Sequence, residues 1–142
     1  YRVTKHYGHS RGFSCAFRQW SADSHCKNLH GYSLGFKIVL ESPNLDINNW
    51  VYDFGNFEFL DKWLSENFDH TLLIAKDDPE FELLMSLNNK TAKVIVLDKI
   101  SCEYFAEMTF KFIQQSLAKL DVEIVSVEVS EHESNSAGFY SS

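Results

Sequence analysis

Cys26 and His30 place a thiol and an imidazole on a turn that leads into a predicted strand at Tyr32. A thiolate beside a cationic or metal-bound group has a lowered pKa, so such a cysteine can act as a base at neutral pH. The histidine could then serve as a ligand or as a relay for the proton. The alternative is a small buried cysteine beside a solvated loop histidine, and composition alone favours it.

Asp69 and His70 form a second candidate pair, at the end of a predicted helix. A carboxylate can orient a neighbouring imidazole and raise its pKa, which is how a proton relay is arranged. Adjacent residues on a regular helix point apart, so the pairing requires the helix to end by Phe68. Asp-His dipeptides are common, and by itself this pair is weak support for a relay.

Glu131 ends an otherwise apolar row of a predicted strand. A buried glutamate without a partner is costly, so it must lie at a rim, pair with a cation, or accept two parallel N–H groups from a ligand. Ser101, Cys102 and Glu103 open a predicted helix, where free backbone N–H and side-chain groups can contact a ligand. The alternatives are a solvated Glu131 and an ordinary helix cap at Ser101.

The elements that must position these residues begin with strands. Period-two alternation from Tyr32 to Leu40 predicts a half-buried strand. The aromatic-rich segment Gly12–Arg18 predicts an antiparallel neighbour, joined to it by the polar stretch 21–28. After a turn region, Trp50–Tyr52 is predicted to return as a third extended piece.

Helices and further strands follow. The period changes to 3.6 after Asp53, which is predicted to cap a helix reaching Phe68, and a second helix is predicted from an N-cap at Ser101 to about Leu120. The remaining predicted pieces are Val94–Leu97 (strand or buried connector), a strand over Ile124–Glu131 with Val125, Val127, Val129 and Glu131 on one face, and a last strand near Phe139–Tyr140. This order predicts an α+β fold, with helices on one face of an antiparallel sheet.

Length and charge exclude several classes of function. The 142 residues predict one domain, 1–142, and 13 Lys and Arg against 20 Asp and Glu give a net charge of −7, which would repel nucleic acid and anionic membranes. We read no transmembrane helix and no signal peptide. Three cysteines in such a chain predict reduced thiols and a cytoplasmic location. Phosphate-binding glycine loops, CxxC pairs and common hydrolase motifs do not occur.

The chain resembles the 6-pyruvoyl-tetrahydropterin synthase and 6-carboxytetrahydropterin synthase family in the order and approximate spacing of several segments. These are Phe13-Ser-Cys-Ala-Phe17-Arg18, Cys26-x-x-x-His30-Gly-Tyr32, Asp69-His70, Ser101-Cys102-Glu103-x-x-Ala106 and Val127-x-Val129-x-Glu131. The resemblance implies the tunnelling fold, in which a four-stranded antiparallel sheet carries two helices on one face. It also implies that three copies close into a barrel and that two barrels stack into a homo-hexamer.

The family's pattern has three histidines for one zinc ion at the positions that Phe17, His30 and Tyr32 occupy here. Only His30 matches. A phenyl ring offers no lone pair and a neutral tyrosine is a poor zinc ligand, so the usual catalytic site with three protein ligands cannot form from these residues. A rearranged zinc site and a metal-free site are both open. A rearranged site would add ligands to His30 from among Cys15, His25 and His9.

The resemblance implies a role for each remaining match. It makes Cys26 the thiolate base, Asp69 and His70 the proton relay, Glu131 the anchor of the pterin ring, and Ser101 and Cys102 part of the ring pocket. A pterin presents an amino group and a ring N–H side by side, and one carboxylate can accept both hydrogen bonds.

The implied function is that of a lyase acting on 7,8-dihydroneopterin triphosphate or a related dihydropterin. A pathway to biopterin, to a deazapurine nucleoside such as queuosine, or to folate stays open. The alternatives are a metal-free pterin or purine binding protein and an enzyme similar to dihydroneopterin aldolase or epimerase.

Overall fold

A long central strand organises the computed structural model, which describes residues 1–142. The strands are β1 (Arg2–Tyr7), β2 (Phe13–Phe17), β3 (His30–Glu41), β4 (Thr71–Ala75), β5 (Val94–Leu97), β6 (Glu123–His132) and β7 (Asn135–Tyr140). The helices are α1 (Glu58–Phe68), α2 (Phe81–Met85) and α3 (Cys102–Ser116), with short 3₁₀ turns at His25–Lys27 and Phe54–Asn56. The predicted α+β class is confirmed.

Strand β3 pairs with three strands, all antiparallel to it. Its first half pairs with β2, its second half pairs with β1, and β6 runs along its other side. The sheet order is β5-β4-β2-β3-β6-β7, with β1 added beside β3. The prediction of a strand over Tyr32–Leu40 and of an antiparallel neighbour over Gly12–Arg18 is therefore confirmed.

The prediction of a four-stranded antiparallel sheet is wrong, because the sheet has seven strands of mixed orientation. Strand β4 runs parallel to both β2 and β5. All five residues of β4 are buried, since the main core covers one face and α2 covers the other. A strand covered on both faces reads as a continuous apolar run, so β4 showed no period-two pattern.

The segment around Trp50 is a turn and not the extended piece that was predicted. The Asp46 carboxylate accepts hydrogen bonds from the backbone N–H groups of Asn48 and Trp50, which folds the chain back on itself. Such side-chain-to-backbone bonds compete with strand pairing and favour turns.

Helices α1 and α3 pack on one face of the sheet over a core of 27 buried residues. In α1 the stripe Leu60, Leu64 and Phe68 is fully buried, as the 3.6-residue period predicted. The prediction that Asp53 caps this helix is wrong, because Asp53 caps the 3₁₀ turn and α1 begins at Glu58. Ser101 caps α3 by accepting a hydrogen bond from the Tyr104 N–H, and the helix ends at Ser116, earlier than expected. The short helix α2 lies on the opposite face, above a separate small cluster of apolar residues.

A bulge in the pairing of β3 with β6 corrects one predicted row of residues. The register shifts between Val39 and Leu40, so that Val125 has no partner on β3 and Ile124 takes its place on the buried face. Val127 and Val129 are fully buried there, as predicted. The buried row that leads along β6 to Glu131 therefore consists of Ile124, Val127 and Val129.

Candidate functional site

The helix-covered face of β2 and β3 ends in an aromatic pair. Register pairs Cys15 with Tyr32 and Phe17 with His30, so these side chains project from the same face of the sheet. The rings of Phe17 and Tyr32 are stacked, with centroids 4.2 Å apart and planes at 11°. Phe17 is buried and Tyr32 is half-buried, so the stack lies at the boundary between the core and solvent.

Glu131 lies at a second bulge. The pairing of β6 with β7 shifts between Ser130 and His132, which leaves Glu131 without a cross-strand partner. Bulges re-aim a side chain and are common beside active sites. The half-buried Glu131 has one hydrogen-bond partner in the chain, the Cys102 thiol, whose sulfur is 3.9 Å from Oε1. A cavity of about 130 Å³ opens here, lined by Cys102, Glu103, Glu131, Asn135, Ser136 and Ala137.

Several predicted site residues meet around Tyr32. Burial raises the pKa of Tyr32, and the nearby Glu131 carboxylate and the thiols of Cys26, Cys102 and Cys15 raise it further. These groups come from different parts of the chain: the loop after β2, the start of α3, and the end of β6. We call this group, centred on Tyr32 with Cys26, Cys102 and Glu131, the Tyr32 cluster.

Cys26 is exposed in the 3₁₀ turn, and three contacts hold the backbone of that turn. The Cys26 carbonyl accepts from the Gln19 N–H at 2.9 Å, and the Ser24 hydroxyl accepts from the Cys26 N–H at 3.3 Å. Arg18 donates from Nη1 to the Lys27 carbonyl at 3.1 Å. The thiol is therefore accessible to solvent on a fixed turn, as a base requires.

A buried ion pair supports this turn. The Arg18 guanidinium donates through Nε and Nη2 to the two carboxylate oxygens of Asp78, and the Asp78 side chain is 1% exposed. The hydrogen bond from Arg18 holds the pKa of Asp78 below its ordinary value. Sequence reasoning assigned no role to either residue, since a distance of 60 positions along the chain gave no signal of the pairing.

The end of α1 meets the condition that the Asp69–His70 pair requires. The helix ends at Phe68, so Asp69 is its C-cap, and His70 adopts a left-handed backbone with φ of 57°. One oxygen of Asp69 lies 3.0 Å from His70 Nδ1 and also accepts from the Ser14 N–H at 3.2 Å. The imidazole is 86% exposed.

Within one chain, no hydrogen bond or ion pair joins the Asp69–His70 pair to Cys26 or Glu131. The pair lies beside Ser14 on β2. Burial raises the pKa of the nearby Cys15 thiol, and Asp69 is near enough to raise it further. The ring of His70 faces solvent immediately before β4, the strand that pairs with β2 on this side.

The thiols differ in the states that their surroundings allow. Burial, with the Glu131 carboxylate adding to it, raises the pKa of Cys102 to about 12. Burial also raises the pKa of Cys15 to about 12, with Cys102 and Asp69 as lesser causes. Both are therefore neutral thiols at physiological pH, and Cys102 can only donate its hydrogen toward Glu131.

The residues present do not fit a zinc ion within one chain. No three His, Cys, Asp or Glu side chains come together where they could hold a metal. His30 Nδ1 contacts the Asn28 carbonyl at 2.8 Å, and the stacked rings of Phe17 and Tyr32 occupy the two neighbouring positions.

The other residues proposed for a rearranged zinc site either contact other groups, are buried, or do not lie directly beside His30. His9 contacts the Ser33 carbonyl through Nδ1 at 2.7 Å and the Ser130 hydroxyl through Nε2 at 3.2 Å. Cys15 is buried, and the ring of His25 lies 5.7 Å from that of His30. Zinc bound through His30 stays a prediction that no contact in the chain supports.

Comparison with known families gives a match over nearly the whole chain. The family described as 6-pyruvoyl tetrahydropterin synthase matches residues 8–142. A 6-carboxy-5,6,7,8-tetrahydropterin synthase of Rickettsia bellii is 31% identical over 96 residues, which cover 60% of this chain and 70% of that protein. A protein of the same name from Rickettsia conorii is 35% identical over 69 residues, covering 48% of this chain and half of that protein.

Solved structures share the fold. An uncharacterized protein of Wolinella succinogenes superposes with a TM-score of 0.87 at 20% identity, covering 100% of this chain and 98% of that one. The 6-pyruvoyl tetrahydropterin synthase of Plasmodium falciparum gives a TM-score of 0.68 at 16% identity, covering 99% and 97%.

Together the fold and the sequence matches define the class of the protein as that of the pterin-processing lyases. The chain belongs to the 6-pyruvoyl tetrahydropterin synthase family. None of the helices α1 to α3 combines the length and the hydropathy that a membrane-spanning helix requires.

Proposed function

We propose that this protein binds a dihydropterin, 7,8-dihydroneopterin triphosphate or a close relative, and acts on it as a lyase. The observation that carries the proposal is the placement of Glu131. Its carboxylate is half-buried at a bulge, faces a cavity, and has only a weak thiol partner in the chain. A carboxylate so placed keeps acceptor positions free for the amino group and ring N–H of a pterin.

Cys26 is the proposed base. Its thiol is exposed on a turn that Gln19 and Arg18 hold, and it belongs to the Tyr32 cluster together with Glu131. In the proposed arrangement the ring is anchored on Glu131 and the side chain of the substrate extends toward the thiol. A positioned base at this point could remove a proton from the carbon or oxygen next to the ring, a contribution of roughly 10²- to 10⁴-fold to the rate.

The Asp69–His70 pair is the proposed proton relay, supplied by a neighbouring copy of the chain. The pair is preassembled, with Asp69 fixed by the Ser14 N–H and His70 exposed, and no hydrogen bond links it to the Tyr32 cluster of its own chain. A site that straddles two copies reconciles these placements. The hexamer, a dimer of trimers, is the assembly that the family resemblance implies.

A second candidate function is metal-free chemistry of the aldolase or epimerase kind on the same ring. The stacked Phe17 and Tyr32 favour it, since neither supplies the zinc ligand that the family's pattern has at that position. The cytoplasmic location stays a prediction from the reduced cysteines.

Pterin affinity tests the anchor. Titration calorimetry with neopterin should show a Kd roughly 10- to 100-fold weaker for Glu131→Gln, because one charge-assisted pair of hydrogen bonds is lost. Glu128→Gln is the matched control, since Glu128 lies on the same strand but pairs with Lys37 at 3.7 Å. Equal affinity of wild type and Glu131→Gln would contradict the anchor, and absence of pterin binding would contradict the proposed function.

A further inference from the structure

The ring of Tyr32 packs against the protein, whereas its hydroxyl forms no hydrogen bond with the protein. One face lies against Phe17 at 4.2 Å between centroids, and Phe17 in turn meets the edge of Phe105 at 5.2 Å and 79°. Phe105 is fully buried in α3, so the stack is braced from the core. Such aromatic contacts fix ring orientation beyond what burial alone does.

The Tyr32 hydroxyl is unused by the protein. No hydrogen bond joins it to any other residue of the chain, whereas the Tyr7 and Tyr52 hydroxyls donate to Asp61 and to the Asn56 carbonyl. Tyr32 is half-buried, so the hydroxyl is left for solvent or a ligand. A phenol at neutral pH can donate one hydrogen bond and accept another.

The surroundings of this hydroxyl are those of the proposed reaction site. Phe105, which braces the stack, lies one turn along α3 from Cys102, and the Cys102 thiol contacts Glu131, the proposed ring anchor. On the other side, the ring of His30 lies 6.4 Å from that of Tyr32 and 5.7 Å from that of His25, the chain neighbour of the proposed base Cys26. If a pterin is held by Glu131 and its side chain extends toward Cys26, that side chain would therefore lie beside the Tyr32 hydroxyl.

We propose that Tyr32 is a substrate-contacting residue whose hydroxyl donates a hydrogen bond to a side-chain oxygen of the bound pterin, and that this protein works without zinc at that position. This inference rests on the proposed function. The phenol keeps its proton and no bond to it forms or breaks. It stabilises negative charge that develops on the oxygen when the base acts, which is the contribution that a prepositioned donor makes to a rate.

Binding of two ligands tests the contact. One ligand is 7,8-dihydroneopterin, which carries the side chain, and the other is 7,8-dihydropterin, which has none. In wild type, the side-chain ligand should bind more tightly, and Tyr32→Phe should lower its affinity about 3- to 10-fold while leaving the affinity for the side-chain-free ring unchanged. Tyr140→Phe, at an exposed position on β7, is the control.

The two proposals fail in different ways. If wild type binds neither ligand, the proposed function is wrong. If both ligands bind and Tyr32→Phe changes neither affinity, the ring anchor stands and the role of Tyr32 is wrong. Retained stacking makes Tyr32→Phe a mild change, and an unaltered melting temperature would show that the core is intact.

Zinc titration of the metal-free protein tests the second half independently of any pterin. Wild type should compete poorly with a chromophoric chelator for zinc at micromolar concentration, whereas the double variant Phe17→His with Tyr32→His should bind one zinc per chain together with His30. One zinc per wild-type chain would overturn the proposal. Failure of the double variant to bind zinc would also contradict it, because these positions would then not surround a metal-sized space.

Discussion

At the scale of single residues, the three thiols illustrate how surroundings decide chemistry. Cys102 and Cys15 are buried, and burial raises the pKa of each to about 12. Cys26 is exposed on a turn. The thiolate is the reactive form of cysteine, and burial disfavours it at Cys15 and Cys102. Cys26 is therefore the one thiol of the three that a reagent in solution can reach.

Alkylation with iodoacetamide at pH 8 should therefore label one thiol per native chain. Peptide mass mapping is expected to place the label on Cys26, and Cys26→Ser should remove it without changing the melting temperature. Labelling of Cys102 or Cys15 at a comparable rate would contradict the assigned environments.

The residues of the site were predictable from sequence to different degrees. Alternation along β6 predicted that Glu131 ends a buried row, and the end of the helix at Phe68 allowed Asp69 to meet His70. The stacking of Phe17 on Tyr32 was not predictable, because it depends on the diagonal register of two strands. The bulge at Glu131 also escaped prediction, since it is fixed by pairing with β7.

At the scale of elements, the pairing of Arg18 with Asp78 ties the turn of Cys26 to the segment between β4 and α2. Arg18 reaches the Lys27 carbonyl with one nitrogen and the buried Asp78 carboxylate with two others. Asp78 also accepts from the Glu80 N–H at 2.8 Å. The Asp78 carboxylate therefore links the turn that carries Cys26 to the segment between β4 and α2.

Asp78→Asn should lower the free energy of unfolding by about 2 kcal/mol. The change removes the charge of a carboxylate that is 1% exposed and leaves the Arg18 guanidinium, which is 21% exposed, without its ion-pair partner. Asp77→Asn is the control, because Asp77 makes one long bond to Trp20 at 3.3 Å. Urea unfolding of both variants measures the difference. Equal stability of Asp78→Asn and wild type would contradict the role of the pair.

The same pair predicts a pH dependence. The pKa of Asp78 is lowered in the folded protein, so its stabilisation is complete above the ordinary value of 3.8 and is lost as the pH falls through the lower folded value. The stability difference between wild type and Asp78→Asn should therefore be constant near neutral pH and shrink below about pH 4. A difference that grows with acidity would have the wrong sign.

Elements with one buried face were predicted from their periodicity, and the others were not. Strand β3, strand β6, and helices α1 and α3 each show a clear apolar face. Strand β4 is buried on both faces and so lacks alternation. Strand β1 was missed because it has five residues at least partly exposed and little apolar surface to mark a face.

At the scale of the whole molecule, the mixed sheet ends in edge strands β5 and β7. Val96 on β5 and Tyr140 on β7 expose large apolar side chains. Unpaired edges of this kind favour association with another chain. The proposed sharing of an active site between copies depends on such association.

Light scattering coupled to gel filtration should therefore show an oligomer at micromolar concentration, with six copies the expected number. Val96→Lys is expected to weaken association if β5 is the edge used, since a charge on an edge strand opposes pairing. A monomer at that concentration would contradict an active site shared between copies.

Product analysis by mass spectrometry tests the central claim most directly. Incubation of wild type with 7,8-dihydroneopterin triphosphate, and separately with 7,8-dihydroneopterin, should convert at least one of them. His70→Asn should lower the rate roughly 10²-fold or more, with the fold retained, because asparagine tolerates the left-handed backbone at φ of 57°. Unchanged substrate masses with wild type, or full activity of His70→Asn, would contradict the account.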